Sequence, residues 1–361
     1  MKRHPEDRDQ FSLLKSLDDF ARKNGLSMTD PATRDQLVEN LGTSIQDNVD
    51  KASRLHGLHA QTMFAYLAAA MGACQLIGEE DSGALFDRDG DLQRPDFRII
   101  TRDGMQMLIE VKNFHPKNPL DKLRLNGGYV RSLKRYAELN KVPLKLAVYW
   151  SRWNVWTLVD AERLDSTHET VSIEMPEAYM HNELHQLGDS MIGTEPPLSF
   201  RLYADRDKPR SVASDGMAGF TVARACLCAA GSDVVDPVER RIGWFLLQNG
   251  NWHETEEHAE INDDLVDYFE LRFFPAPPPD DAPEDPELFR SIGFLSQMIS
   301  SQYIRSTSQS GKLTTLTPKK GPAEFGIVIP DDYRGEALKL WRFTMLPKHA
   351  DIPGIETASS Q

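Results

Sequence analysis

Apolar residues near the start of the chain recur at helical spacing. Phe11, Leu14, Leu17 and Ala21 follow a period of three to four residues that ends near Gly25. Asp30-Pro31 offers a capping carboxylate and a first-turn proline to a second helix carrying Leu37, Val38 and Leu41. A third run, about Ser53 to Gly72, carries Leu55, Leu58, Met63, Phe64, Leu67, Ala68 and Met71. The period then shortens towards two. Ala73 to Ile77 predicts a first strand, followed by the polar connection GEEDSGALFDRDGD. Arg94 to Lys112, RPDFRIITRDGMQMLIEVK, reads as two short strands joined by a turn. Asn118-Pro119 predicts a helix start, with Asp121 in its first turn and Gly127-Gly128 interrupting it. Leu133, Tyr136 and Ala137 give that helix a packing face. Leu144, Leu146, Val148 and Trp150 alternate as a fourth strand, residues 151–154 turn the chain, and Val155 to Val159 return as a fifth. Helix, three strands, helix and two strands make an α/β sandwich with a mixed sheet flanked by helices.

Beyond Asp165 the pattern predicts helices at 216–230, 237–249 and 287–305. Short strands are expected at 199–204, 266–274, 313–317 and 325–329. Helices followed by two short strands are compatible with a winged-helix module. Residues 275–286, PAPPPDDAPEDP, read as an exposed acidic, proline-rich loop or linker. The expected organisation is a helical N-terminal segment at 1–52, an α/β core at 53–165 and an α+β C-terminal domain at 166–361.

The hairpin carries the chemistry. Arg102-Asp103-Gly104 fits a three-residue loop closed by glycine in the left-handed conformation. That loop pairs Thr101 with Met105, and the register then sets Asp96 opposite Glu110. Strand alternation puts Glu110 and Lys112 on one face and Ile109 and Val111 on the other. Like charges opposite one another are unfavourable, and a divalent cation between them removes the penalty. Hard oxygen donors suit Mg²⁺. A lysine on the same face completes a site for attack on a phosphodiester.

Pro95-Asp96, a turn, and an apolar strand ending Glu110-Val111-Lys112 resemble the PD-(D/E)XK nuclease superfamily, the restriction-endonuclease-like fold. The resemblance covers roughly Gly57 to Asp160. It implies that Asp96 and Glu110 are metal ligands, that the Val111 carbonyl adds a third, and that Lys112 orients or activates the nucleophile. It further implies Mg²⁺ as cofactor, with Mn²⁺ able to substitute, nucleic acid as substrate with DNA ahead of RNA, and a setting in restriction, anti-phage defence or repair. The family often carries a glutamate on the first helix in a Gly-x-x-x-Glu pattern. Here Gly57-Leu58-His59-Ala60-Gln61 puts Gln61 at that position, so the residue there brings no charge. This departure keeps a second reading open, a catalytically inactive nuclease fold that binds nucleic acid or serves as a scaffold. Glu79 and Glu80 are alternative ligands, with a solvated acidic loop the better account of both.

Charge sharpens the picture. The chain of 361 residues is −14 overall, which counts against a protein that coats nucleic acid. Between Lys112 and Arg152, however, ten basic residues face two acidic ones, a net of about +8. Arg131, Lys134 and Arg135 share a helix face there and are candidates for contact with backbone phosphates. Tyr129 and Tyr136 lie on the same helix. Neither a secretory segment nor a run of apolar residues long enough for a membrane helix is read here, and a cytoplasmic protein without membrane contact is the expectation. The C-terminal domain is expected to serve targeting, homodimerisation or partner binding. Three cysteines fit a reducing compartment. Cys226-Leu227-Cys228 lacks a second pair, which favours small buried side chains on a helix over a zinc site.

Overall fold

The computed structural model describes residues 1–2, 10–49, 51–80, 85–88, 90–166, 169–276, 289–330 and 332–348. Helices α1 (Gln10–Asn24) and α2 (Pro31–Val49) lead into α3 (Ala52–Met71). Asp30 caps α2, its carboxylate accepting the Ala32 N–H at 2.9 Å. Gly72 ends α3 at φ 88°, a left-handed cap that glycine takes without a Cβ clash.

Six strands follow: β1 (Cys74–Glu79), β2 (Phe97–Thr101), β3 (Gln106–Phe114), β4 (Leu123–Asn126), β5 (Leu144–Trp150) and β6 (Val155–Asp160). Five of them form a sheet in the order β1-β2-β3-β5-β6. All neighbours are antiparallel except β3 and β5, which run parallel. The crossover between those two carries α4 (Gly127–Asn140). The sheet is therefore mixed and covered on both faces. Met107, Ile109 and Val111 pack towards α3 with Phe64 and Leu67. Leu108 packs on the opposite face with Val130, Leu133 and Ala137 of α4. Inner strand β5 is buried along its whole length, as a strand covered on both sides must be.

The hairpin has the expected register. Phe97 pairs with Ile109 and Ile100 with Gln106. The Thr101 N–H donates to the Met105 carbonyl at 2.9 Å, and Gly104 sits at φ 86°. One expectation nearby fails. Residues 118–126 do not begin the helix. The Asp121 carboxylate accepts the N–H groups of Lys117 and Asn118, which makes a turn. Leu123 and Leu125 then alternate as β4, paired with Thr170–Ile173. Gly127-Gly128 opens α4 rather than kinking it, with the Asn126 side chain accepting the Tyr129 N–H.

The C-terminal part holds α5 (Met175–Met180), α6 (Pro237–Asn249) and α7 (Leu295–Thr307). Five of its strands are β7 (Leu198–Ala204), β8 (Val222–Ala229), β9 (Ser232–Asp233), β10 (Glu254–Asn262) and β11 (Leu265–Phe274). These form an antiparallel sheet in the order β9-β8-β7-β11-β10, which is not a winged helix. The helix expected at 216–230 is replaced by β8. Its alanines invite a helical reading, but Val222, Arg224, Cys226 and Cys228 alternate along an extended chain beside β7. The helix expected at 287–305 starts only at Leu295, after a strand at Arg290–Phe294. Only Lys312–Leu313 is a strand in 313–317, and 325–329 is irregular although Ile327 and Ile329 are buried. The acidic, proline-rich run lies outside the described residues from 277 onward.

Helix α7 packs on the half that holds the β1-β2-β3-β5-β6 sheet. Ile299, Tyr303 and Phe325 join the core beneath α3, and Tyr66 lies against both aromatic rings. Trp156 donates to Ser300 at 3.0 Å, and Asn154 donates to Ser301 at 2.8 Å. His59 of α3 bonds Thr307 at 2.9 Å, and burial lowers its pKa to about 4. Among the described residues no helix is long and apolar enough to cross a membrane.

Candidate active site

The β2–β3 ladder ends at Phe97 and Ile109. One step further the register sets Asp96 level with Glu110, and both are buried, at 7% and 2% exposure. Their side chains have separate partners. Asp96 fills the place where the ladder would continue. Its Oδ2 accepts the Val111 N–H at 2.6 Å, and its Oδ1 accepts Gln61 Nε2 at 2.5 Å. Gln61 comes from α3, so the helix and two strands meet at this carboxylate. The Val111 N–H, which the sequence does not single out, thus fixes the Asp96 carboxylate.

Glu110 lies on the α4 side. Lys112 Nζ bonds its Oε1, and the Tyr129 hydroxyl donates to the same oxygen at 2.6 Å. The Lys112 ammonium also lies 5.1 Å from the centre of the Tyr129 ring. Both donors converge on Oε1, whereas Oε2 is buried without a hydrogen-bond partner among the described residues. A buried acceptor left unmade costs about 1–3 kcal/mol, more when charged. The unmade bond belongs to a hard oxygen donor beside a second buried carboxylate. That is the donor set a small divalent cation takes, and so the residues fit one. The sequence offers Tyr129 as a helper to the basic helix face, and the structure turns its hydroxyl to Glu110. Its role depends on where α4 begins, and the Asn126 cap decides that.

Glu80 is different. Arg98 grips both its oxygens at 2.7 and 3.0 Å, and the Tyr136 hydroxyl donates at 2.5 Å. The Arg98 hydrogen bond holds this carboxyl below its usual range. A carboxylate closed by a planar guanidinium braces β2 against α4. Glu79 points to solvent.

The basic face divides. Arg131 and Arg135 are exposed on α4, while Lys134 pairs with Glu162 at 3.0 Å. Further charge in the basic window is taken up by acids from beyond it. Lys122 faces Asp165 at 3.6 Å. Buried Lys145 is held by Asp160 at 2.8 Å and Glu183 at 2.7 Å. The local field is therefore weaker than the window's formal charge implies.

No family model matches the chain, and no curated protein matches it. Among solved structures it is similar to the Holliday junction resolvase Hjc of the archaeal hyperthermophile Archaeoglobus fulgidus. The match covers 30% of this chain and 81% of that one at 19% identity, with a TM-score of 0.24. A likeness of that size carries no argument about activity.

Proposed function

We propose that the chain is a divalent-cation-dependent nuclease that hydrolyses phosphodiester bonds, with DNA as substrate. One observation carries this reading. A buried glutamate beside a buried aspartate keeps one oxygen unbonded while a lysine and a tyrosine fix the other. Such an orphan costs stability, and a cation held with Asp96 would satisfy it.

Asp96 and Glu110 would hold Mg²⁺, with Mn²⁺ as a substitute, and the cation supplies Lewis-acid polarisation of a phosphoryl oxygen. Gln61 and the Val111 N–H orient the Asp96 carboxylate. Tyr129 fixes Glu110 so that Oε2 faces the site. Lys112 stands on the same face, where its ammonium positions the nucleophile and stabilises negative charge as it develops. Arg131 and Arg135 meet backbone phosphates. Residues 53–165 act as the catalytic core. Residues 166–361 serve targeting, dimerisation or partner binding, and α7 braces the helix that carries Gln61.

The test is cleavage of supercoiled plasmid in Mg²⁺ against EDTA, with Asp96→Ala and Glu110→Ala whose folds are checked by circular dichroism. Cleavage should need the cation and vanish in both variants. Wild-type turnover in either variant sinks the assignment. The second reading, an inactive nuclease fold that binds nucleic acid, is favoured by Gln61. Its neutral amide occupies an Asp96 oxygen where the family often places a further carboxylate. Tight DNA binding with no cleavage in Mg²⁺ or Mn²⁺ would decide for it.

A further inference from the structure

A second cluster lies in the C-terminal sheet, apart from the carboxylate site. Strand alternation puts Cys226 and Cys228 of β8 on one face. The chain then reverses through Ala230 and Gly231, at φ 46° and 83°. Positive φ at both loop residues is the mark of a tight two-residue hairpin. That hairpin pairs Cys228 with Asp233 of β9. Three donors are thus gathered by strand geometry alone. The two Sγ atoms are 3.6 Å apart, and Asp233 Oδ1 lies 3.4 Å from Cys226 Sγ and 3.3 Å from Cys228 Sγ.

We infer that Cys226, Cys228 and Asp233 bind a thiophilic divalent cation, zinc foremost. Tetrahedral zinc takes sulfur at about 2.3 Å and carboxylate oxygen at about 2.0–2.2 Å, which sets sulfur atoms about 3.8 Å apart and sulfur about 3.5–3.7 Å from oxygen. The observed separations fall short of these by only about 0.1–0.4 Å, so the ligands need a small outward movement. Sulfur donors select zinc over the hard cation suited to Asp96 and Glu110. Three protein ligands leave a fourth position for water.

The surroundings balance the charge. Two thiolates, a carboxylate and a dication sum to −1. Arg224 contacts Asp233 Oδ2 at 2.6 Å, and Arg201 lies 3.9 Å from Oδ1. The Tyr203 hydroxyl donates to Oδ1 at 2.8 Å and orients it. Burial raises both thiols, so without a cation they stay protonated and hydrogen-bonded to Asp233. On binding, each thiol releases its proton to solvent and each sulfur forms a bond to the metal, with no change of oxidation state. The ion would clamp the edge hairpin β8–β9 into the sheet.

The test uses full-length protein and Co²⁺ as a coloured probe for zinc. With Mg²⁺ in excess to fill the carboxylate site, the wild type should give a thiolate-to-cobalt charge-transfer band that saturates at one Co²⁺ per chain, and Zn²⁺ should bleach it. Glu110→Gln should keep the band, because it alters only the other site. Cys226→Ser/Cys228→Ser should lose it, and Cys226→Ser alone should bind at least tenfold more weakly. A wild type with no such band at saturating Co²⁺ overturns the inference, since the cluster is then only hydrogen-bonded. A band of undiminished strength in the folded double variant overturns it too, by placing the metal on another thiol.

Discussion

Two glutamates meet the two ends of one helix and are treated differently. Tyr129 and Tyr136 stand two turns apart on α4, and each donates to a carboxylate, Glu110 and Glu80 respectively. Each glutamate also has a cation, Lys112 or Arg98. At Glu80 the planar guanidinium bonds both oxygens and closes the group. At Glu110 the compact ammonium and the tyrosine share one oxygen, and the other stays buried and open. Similar parts thus make a brace at one end and a socket at the other. The distinguishing feature is the unmade bond rather than the residue types.

The largest expected effect separates the two glutamates. Glu110→Gln should lower cleavage by on the order of a thousandfold, because in the proposed function Glu110 holds the cation and a neutral amide cannot replace it. Glu80→Gln should leave cleavage near wild type and lower stability by about 1–2 kcal/mol, by weakening the charged bonds to Arg98 and Tyr136. Parallel plasmid assays and urea melts check both. Equal loss of activity in the two variants would erase the distinction.

Lys112→Ala should come next. Cleavage should fall about a hundredfold with DNA affinity within a few-fold of wild type, since the role proposed for the lysine is on charge that develops during reaction. A variant whose main defect is a weaker DNA Kd would reduce Lys112 to a phosphate contact.

The tyrosines sharpen the contrast on a smaller scale. Tyr129→Phe should slow cleavage about tenfold, the equivalent of one charged hydrogen bond of about 1.4 kcal/mol. Tyr136→Phe should instead lower stability by about 1 kcal/mol and leave turnover alone. Single-turnover rates and melts of the pair decide it.

The smallest effect is a pH dependence. Arg98 depresses the folded pKa of Glu80. The unfolded state therefore binds protons first as pH falls, and the stabilisation is complete above the unfolded value of about 4.3 and drains away below it. Acid melts of Glu80→Gln should fall less steeply in that window than those of the wild type. Parallel curves would remove Glu80 from the acid response.

Much of the core was legible because its signals are local. The loop Arg102-Asp103-Gly104 sets the hairpin register, and alternation on either side orients Glu110 and Lys112. What failed was local evidence with two readings. Asn118-Pro119 with Asp121 suits a helix start as well as the turn it forms, and Gly127-Gly128 suits a kink as well as a helix opening. Alanines in 222–229 hid a strand whose neighbour, β7, lies some twenty residues earlier. Long-range partners were out of reach. Glu162 draws Lys134 off the basic face, and Glu183 helps bury Lys145. No spacing rule pairs Tyr129 with Glu110.

The most direct test of the account is a calorimetric titration of Mn²⁺ into wild type, Glu80→Gln and Glu110→Gln. Mn²⁺ prefers oxygen donors and so reports the carboxylate site. The account predicts one ion bound with equal affinity by wild type and Glu80→Gln, and binding weakened at least tenfold or lost in Glu110→Gln. Undiminished binding by Glu110→Gln would contradict it, because the open oxygen of Glu110 would then hold nothing.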